Sequence, residues 1–429
     1  MKPPVVGFAG MTHLGLVSAS AVAARGFQTR CFDPDRGLID RLVQQTWPVL
    51  EPGLDELIRG NGDRQTFTSA RDDLRSCDVV YVAPDVPTDD HGRGDVSGLT
   101  ALIRDVAGAM NPDGVLVILS QVPPGYTRAI GAWPLERFYY QVETLVFGQA
   151  VERALKPERT IVGTADPAAP LDSRFRAVLD AFGCPILPMR YESAELAKIS
   201  INCCLVASVS VANTLAELCE KIGADWGEIA PALRLDRRIG AYAYLAPGLG
   251  IAGGNLERDL ATVRRLSEGY GTEAGLISAW LRNSRYRRDW PLRQLHERVV
   301  SRVDDPVIGI LGVTYKENTH SIKNSPAVAL IRELVSFRLR VFDPAVRASA
   351  EWHPRMTVSE DPLTVCEGAD ALVIMTPWPQ FRSLKPGDIA ARLRGRVVID
   401  PFSMLDRAAA IGAGLEHVVL GAPLLVHAE

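Results

Sequence analysis

The stretch PVVGFAGMTHLGLVSASAVAA, residues 4–24, decides the fold. The run "PVVGFA" has strand composition, and an apolar helical pattern covers 14–25. A short apolar strand, a glycine-bounded turn and a helix form the first half of a βαβ unit. The turn reads G-x-x-x-x-G from Gly10 to Gly15, with Thr12 where a dinucleotide loop has its second glycine. In such a loop the middle glycine lets the backbone approach a pyrophosphate resting on the helix N-terminus. Thr12 tightens that approach, although its hydroxyl is itself a donor to phosphate. Cofactor contacts are therefore expected from Gly10, Thr12, His13, Leu14 and Gly15. Asp33 ends the second strand 18 residues after Gly15. There a carboxylate accepts from an adenosine ribose and repels a 2′-phosphate, which favours NAD over NADP. The loop alone is equally compatible with an ordinary strand–helix turn; Asp33 and the flanking alternation weigh toward the dinucleotide.

That alternation continues outward. "QTRCFD", "CDVVYVA" and "GVLVILS" read as strands, with a helix over 99–110. Residues 191–222 contain no Gly or Pro and keep helical periodicity, which predicts one long helix. Helical pattern then dominates to about residue 299. Strand–helix alternation returns with "PVIGILGV", a helix over 326–337, "RLRVFD", "ADALVIMT" and "RVVID". The two ends echo each other, QTRCFDPD (28–35) against RLRVFDPA (338–345), and CDVVYVAPDVP (77–87) against ADALVIMTPWP (369–379). Two coincident pairs in one order favour a duplicated architecture over convergent strand ends. The expected class is α/β, with two Rossmann-like doubly wound domains, 1–190 and 300–429, joined by a central helical domain over 191–299.

Composition narrows the function. With 429 residues, 47% hydrophobic and a net charge of −4, the chain is an ordinary globular one with no basic bias. Nothing in it suits nucleic acid or an anionic membrane as partner. Its 7 cysteines form no C-x-x-C pair and have no histidine set beside them. No metal site is expected, and the thiols read as buried and reduced. Neither a signal-peptide pattern nor a run of 18 apolar residues occurs, so a cytoplasmic setting is the expectation.

Further motifs follow in order: EPGLDELI (51–58), VPTDDHG (86–92), SQVPPGYT (120–127), VETLVFG (142–148), KPERTIVG (156–163) and ELAKISIN (195–202). Later come GGNLERD (253–259), GILGVTYKENTHSIKNSPA and DALVIMTPWPQF. In this series the chain resembles the UDP-glucose/GDP-mannose dehydrogenase family over nearly its whole length. The resemblance implies NAD as cofactor, a nucleotide-sugar substrate, a homodimer built on the long helix, and a C-terminal domain that binds the nucleotide sugar. Typical members oxidise a primary alcohol twice, to a carboxylate, through a cysteine thiohemiacetal and thioester. Carried over by motif, Lys198 and Asn202 match the lysine and asparagine that stabilise developing oxyanion. Glu143 and Asp259 match the proton-transfer glutamate and aspartate. Pro87, Thr88, Ser120 and Gln121 fall on cofactor-contacting loops. Thr144, Leu145, Phe147, Gly253 and Asn255 fall on substrate loops. Arg238 matches an arginine that reaches the neighbouring subunit's substrate, and Tyr315 and Lys316 match the element that grips the nucleotide sugar.

The departures carry chemical weight. Where the family reads G-G-S-C-F-x-K-D, Asn255 replaces the nucleophilic cysteine and Arg258 the lysine. Gln121 replaces a water-holding threonine, Phe147 a second glutamate, and Phe402 the arginine of a D-G-R motif. The segment KENTHSIKNS departs from K-x-x-T-D-D-x-R-x-S. An amide cannot act as a thiolate, so the four-electron oxidation is expected to fail. Asn255 is instead expected to cap a helix starting at Leu256, with a hydrogen bond to bound sugar compatible with that role. A first hydride transfer needs only the groups that remain, leaving redox-neutral epimerisation or dehydration, or a two-electron oxidation. A non-catalytic nucleotide-sugar-binding subunit and a 6-dehydrogenase working poorly without its thiol are the alternatives.

Overall fold

The computed structural model describes residues 2–89 and 92–423. The chain divides into two compact units, Met1–Ile201 and Asn202–Glu429.

The first unit holds an eight-stranded sheet. Its strands are β1 (Val6–Ala9), β2 (Thr29–Phe32), β3 (Gln65–Thr68), β4 (Val79–Val82), β5 (Val115–Ile118), β6 (Phe138–Gln141), β7 (Thr160–Thr164) and β8 (Ile186–Arg190). Their order is β3-β2-β1-β4-β5-β6-β7-β8. All neighbours are parallel except β6 and β7. β1, β4 and β5 are buried along their whole length, which is why their sequences are continuous Val/Ile-rich runs rather than alternating ones. Phe8 and Tyr81 on adjacent strands stack at 4.8 Å. Each such side chain contributes about 1.5–3 kcal/mol by burial.

The second unit begins inside the long helix, Tyr191–Ile222, and carries helices Trp226–Leu235, Asn255–Tyr270 and Gly275–Arg288. Its six-stranded parallel sheet contains β9 (Val307–Leu311), β10 (Arg338–Phe342), β11 (Met356–Val358), β12 (Ala371–Ile374), β13 (Val397–Ile399) and β14 (Glu416–Val418). The order β11-β10-β9-β12-β13-β14 repeats that of β3 to β6 in the first unit.

The sequence echo has a physical counterpart in the hydrogen bonds. Asp78 accepts from the Val5 N–H at 2.8 Å, and Asp370 accepts from the Val307 N–H at 2.9 Å, each tying the entry of a central strand to its neighbour. At the opposite ends, Asp33 accepts from the Met11 N–H at 2.7 Å and Asp343 from the Val313 N–H at 2.6 Å. Gly10 and Gly312 both leave their strands with positive φ, +95° and +90°. The same switch point, where β1 or β9 has neighbours reached in opposite directions, is therefore built twice. Ligands of open α/β sheets bind at such a crevice.

Candidate active site

In the first unit the loop after β1 has the geometry of a dinucleotide cradle. A Cβ at Gly10 would lie 2.7 Å from the Pro84 nitrogen, and one at Gly15 only 1.8 Å from the Gly10 carbonyl oxygen. Gly15 thus permits close contact between the helix His13–Ala24 and the strand. Thr12 is the N-cap residue, and its side chain makes no cap hydrogen bond. Its hydroxyl accepts from the Asp85 N–H at 2.8 Å, an arrangement that still allows the hydroxyl proton to be donated to phosphate. Asp33 is 8% exposed, its two oxygens accepting from the Met11 and Asp35 N–H groups. A carboxylate has about four acceptor positions, so this anchoring is compatible with ribose contacts. These residues fit NAD: a turn that closes only with glycine at positions 10 and 15, the N-terminus of a 12-residue helix, and an acid at the end of β2.

The neighbouring loops close around that crevice. Ser120 donates to the Pro84 carbonyl at 2.5 Å. The Pro87 carbonyl accepts from the Asp95 N–H, and Thr88 forms an isolated bridge with Gly94. Gln121 is half-buried beside Ser120. Fully buried Glu195, from the long helix, accepts from the Gly125 and Thr127 N–H groups at 2.5 and 2.8 Å. Burial pushes its carboxyl up despite those hydrogen bonds.

Glu143 follows β6. Its Oε1 lies 2.8 Å from the Lys198 ammonium, and its Oε2 accepts from the Leu145 N–H at 2.7 Å. The two side chains are 15% and 10% exposed, so the ion pair is shielded from water and screened little by salt. Thr144 uses its carbonyl to hold Arg153 Nε at 2.7 Å, and Leu145 packs on the main core. Phe147 lies flat on His13, ring centroids 4.1 Å apart and planes at 16°. In the plane of the imidazole, Nε2 meets Glu51 Oε2 at 2.9 Å.

In the second unit, Asn202 donates its amide N–H to Asp259 Oδ2 at 2.5 Å. Both are buried, Asp259 at 1% exposure. Arg258 approaches the other oxygen of Asp259 at 3.4 Å. Lys198 and Asn202 stand four residues apart on one unbroken helix, a spacing that sets two side chains on the same helical face.

The loop before Asp259 differs from expectation. The helix starts at Asn255 itself, with Gly254 as N-cap and no side-chain cap hydrogen bond. Asn255 is exposed; it is a first-turn residue and not the cap predicted from its type. The cause is tertiary. Gly253, at φ +78°, donates to the Lys323 carbonyl and accepts from the Asn324 amide at 2.9 Å. A Cβ there would meet the Tyr315 ring at 3.1 Å. This clasp fixes the chain so that the Gly254 carbonyl takes the first helical bond, from Arg258. Lys316 sits with its ammonium 5.7 Å from the Tyr315 ring centre.

Cys203 follows Asn202 directly and packs with Val206, Leu260 and Ile277. Burial, with the Asp259 charge adding to it, pushes the thiol up to about 11. Only a very small thiolate fraction exists at neutral pH, so Cys203 is a poor stand-in for the missing nucleophile.

The geometry thus brings Glu143 to Lys198, His13 to Phe147, Asn202 to Asp259, and Gly253 to Tyr315. Arg238 stands apart, its side chain 88% exposed and paired with Asp236 of its own turn. Sequence reasoning assigned no role to Glu51, Glu195 or Asn324. All three lie within the motifs EPGLDELI, ELAKISIN and GILGVTYKENTHSIKNSPA, but their roles depend on partners 38 to 99 positions away in the chain.

Comparison with known proteins gives the family. Three family models match: the NAD binding domain of the UDP-glucose/GDP-mannose dehydrogenase family over residues 5–181, its central domain over 192–285, and its UDP binding domain over 309–407. A UDP-glucose 6-dehydrogenase of Rickettsia typhi is 28% identical over 432 residues, covering 97% of this chain and 99% of that protein. One from Pseudomonas aeruginosa is also 28% identical, covering 98% of each. A solved UDP-glucose dehydrogenase from Pyrobaculum islandicum superposes with a TM-score of 0.84 at 27% identity, covering 99% of this chain and 98% of the other. With its cofactor cradle, its paired polar groups and its twice-built sheet, the chain belongs to the UDP-glucose/GDP-mannose dehydrogenase family and is an NAD-dependent member of it.

Proposed function

We propose that this protein oxidises a carbinol of a nucleotide sugar to the carbonyl level and does not carry it on to the carboxylate. The observation behind this reading is the exposed amide of Asn255 at the head of its helix, where the family's thiol would stand, with the nearby thiol of Cys203 held protonated. Bound NAD supplies the hydride acceptor. Lys198 favours the alkoxide form of the reacting carbinol, and Glu143, its partner at 2.8 Å, takes up the proton. The Asn202–Asp259 hydrogen bond, at 2.5 Å, fixes those two side chains against each other. A carbonyl acidifies the adjacent C–H, which Glu143, after passing the first proton to solvent, or Lys198 in its neutral form then removes. Reprotonation on the other face followed by return of the hydride from NADH gives an epimer, and loss of a β-hydroxyl before that return gives a dehydrated sugar, both with no net change in the cofactor. Phe147, covering His13, keeps water away and so disfavours the hydrate whose further two-electron oxidation would give the acid.

Incubation of the protein with NAD and UDP- or GDP-hexoses in D₂O tests this. Solvent deuterium in the sugar without net NADH indicates a redox-neutral cycle, and one NADH per sugar indicates a two-electron oxidation. Two NADH per sugar and a uronate product would overturn the proposal. Tight binding with no conversion would favour a binding subunit. A gain of function is the complementary check. Asn255→Cys places a thiol on the first turn of a 16-residue helix, where the dipole lowers thiol pKa below about 8.5. The variant is expected to be alkylated by iodoacetamide faster than wild type and to release a second NADH per sugar, read by NADH absorbance against uronate formed.

We also propose that a second copy of this chain covers the long helix. Val211, Leu215, Leu218 and Ile222 are 54, 41, 50 and 66% exposed, and their spacing is that of a coiled-coil seam. Tyr191–Ile222 has the length and hydropathy of a membrane span. Its other faces, however, carry Lys198 and Asn202, and Asn213, which accepts from the Gly248 N–H. A one-sided apolar stripe suits a protein partner rather than lipid all round. Leu215→Asp with Leu218→Asp is expected to convert dimer to monomer in light scattering; a wild-type monomer would refute the idea.

A further inference from the structure

The motif EPGL opens with Glu51, whose side chain is 0% exposed. A carboxylate withdrawn from water is costly unless its oxygens are satisfied. Here they are. Oε2 receives His13 Nε2 at 2.9 Å and the Gly148 N–H at 3.0 Å, and Oε1 receives the Ala150 N–H at 2.8 Å. Burial alone would push this carboxyl up; the hydrogen bonds from His13, Gly148 and Ala150 outweigh it and hold it below the usual range.

The three donors come from two loops with different duties. His13 is the first residue of the helix whose N-terminus faces the cofactor loop. Gly148 and Ala150 end the segment that begins with Glu143, five residues before Gly148. Phe147 adds a second connection between the same loops through its stack on His13. At the far end of the segment, Leu145 and Lys198 fix the Glu143 carboxylate. Glu51 therefore fastens the cofactor loop to the loop that carries Glu143, and Phe147 belongs to the same fastening. A carboxylate at position 147 would instead place like charges beside Glu51.

We propose that Glu51 is a positioning residue which, through His13 and the Gly148–Ala150 amides, couples the seating of NAD to the placement of Glu143. Movement of the helix start on dinucleotide binding is passed to residues 143–150 by a carboxylate whose bonds have no water to exchange with. The coupling is reciprocal: ligands that order the Glu143 loop tighten NAD binding by the same factor.

Glu51→Gln tests it, because the amide keeps one acceptor and turns a donor toward an N–H. Hydrogen exchange of residues 143–150 is measured with and without saturating NAD, alongside the NADH Kd from fluorescence. In wild type, NAD is expected to slow exchange in this segment about tenfold, and the NADH Kd of Glu51→Gln to rise about tenfold, with the NAD-dependent protection lost. Glu51→Asp should recover part of both effects, which a merely structural role would not produce. If Glu51→Gln fails to fold, His13→Phe replaces it: the stack on Phe147 is kept and the bond to Glu51 removed. Unchanged NAD-dependent protection in whichever variant folds would overturn the proposal.

Discussion

Replacing Lys198 by methionine is expected to lower turnover of the nucleotide sugar by about 10²–10⁴-fold, the range for removing a charge-stabilising or proton-transferring group. The argument rests on the pair and not on the lysine alone. Lys198 and Glu143 meet at 2.8 Å with their side chains 10% and 15% exposed. Removing the ammonium takes the positive partner away from the carboxylate while the Leu145 N–H still donates to it, so its pKa rises. The acidic limb of the pH–rate profile should then move to higher pH, because the protonated, incompetent form of Glu143 persists further up. Glu143→Gln in the Lys198→Met background should cost little more, since the pair acts as a unit. A full multiplicative loss in the double variant, with an unmoved pH profile, would show that the two side chains act independently.

How much of this could be read beforehand differs sharply between fold and site. The helix expected over 191–222 is Tyr191–Ile222, and the expected strands on the central positions of both sheets are all present. These elements are apolar and long, or buried on both faces, so their signal is local. Six strands were not among those expected: the antiparallel interior pair β6 (FYYQ) and β7 (TIVGT), and the edge strands β3 (QTFT), β8 (ILPMR), β11 (MTV) and β14 (EHV). The last four lie at sheet edges, where one neighbour suffices and composition is less constrained. The helix expected over 326–337 stops at Glu333, because Leu334 turns the chain into the Arg338 strand. For the site, Lys198, Asn202, Glu143 and Asp259 were legible as types and spacings; that they form two separate hydrogen-bonded pairs was not. Asn255 shows the limit most clearly. Its residue type argues for a cap, yet the Lys323–Asn324 clasp on Gly253, about 70 residues away in sequence, moves the helix start by one position. Local propensity loses to a tertiary hydrogen bond.

The largest stability effect is expected at Arg287. Its side chain is 0% exposed, with Nη1 2.8 Å from Glu217 and Nη2 3.9 Å from Glu220. Glu220 in turn accepts from the Gly421 N–H at 3.0 Å and from Trp290 Nε1 at 3.1 Å. One guanidinium thus holds the long helix to the helix Gly275–Arg288, while its partner carboxylate secures the chain after β14. Arg287→Met removes the cation and leaves Glu220 half-buried beside Glu217, a loss of up to about 3 kcal/mol, toward the lower end for breaking a buried pair. Urea unfolding monitored by circular dichroism would read it. The pH dependence separates charge from packing. Burial already pushes the Glu220 carboxyl up, and losing the arginine raises it further. A carboxyl whose folded pKa exceeds its unfolded value favours folding below the unfolded pKa, and that contribution is lost as pH rises through the folded pKa. The penalty of Arg287→Met should therefore be smaller near pH 5 than near pH 8. Adding Glu220→Gln should recover part of it at pH 8 and little at pH 5. A penalty equal at both values, unrelieved by the second substitution, would assign the loss to the vacated volume around residue 287 rather than to stranded charge.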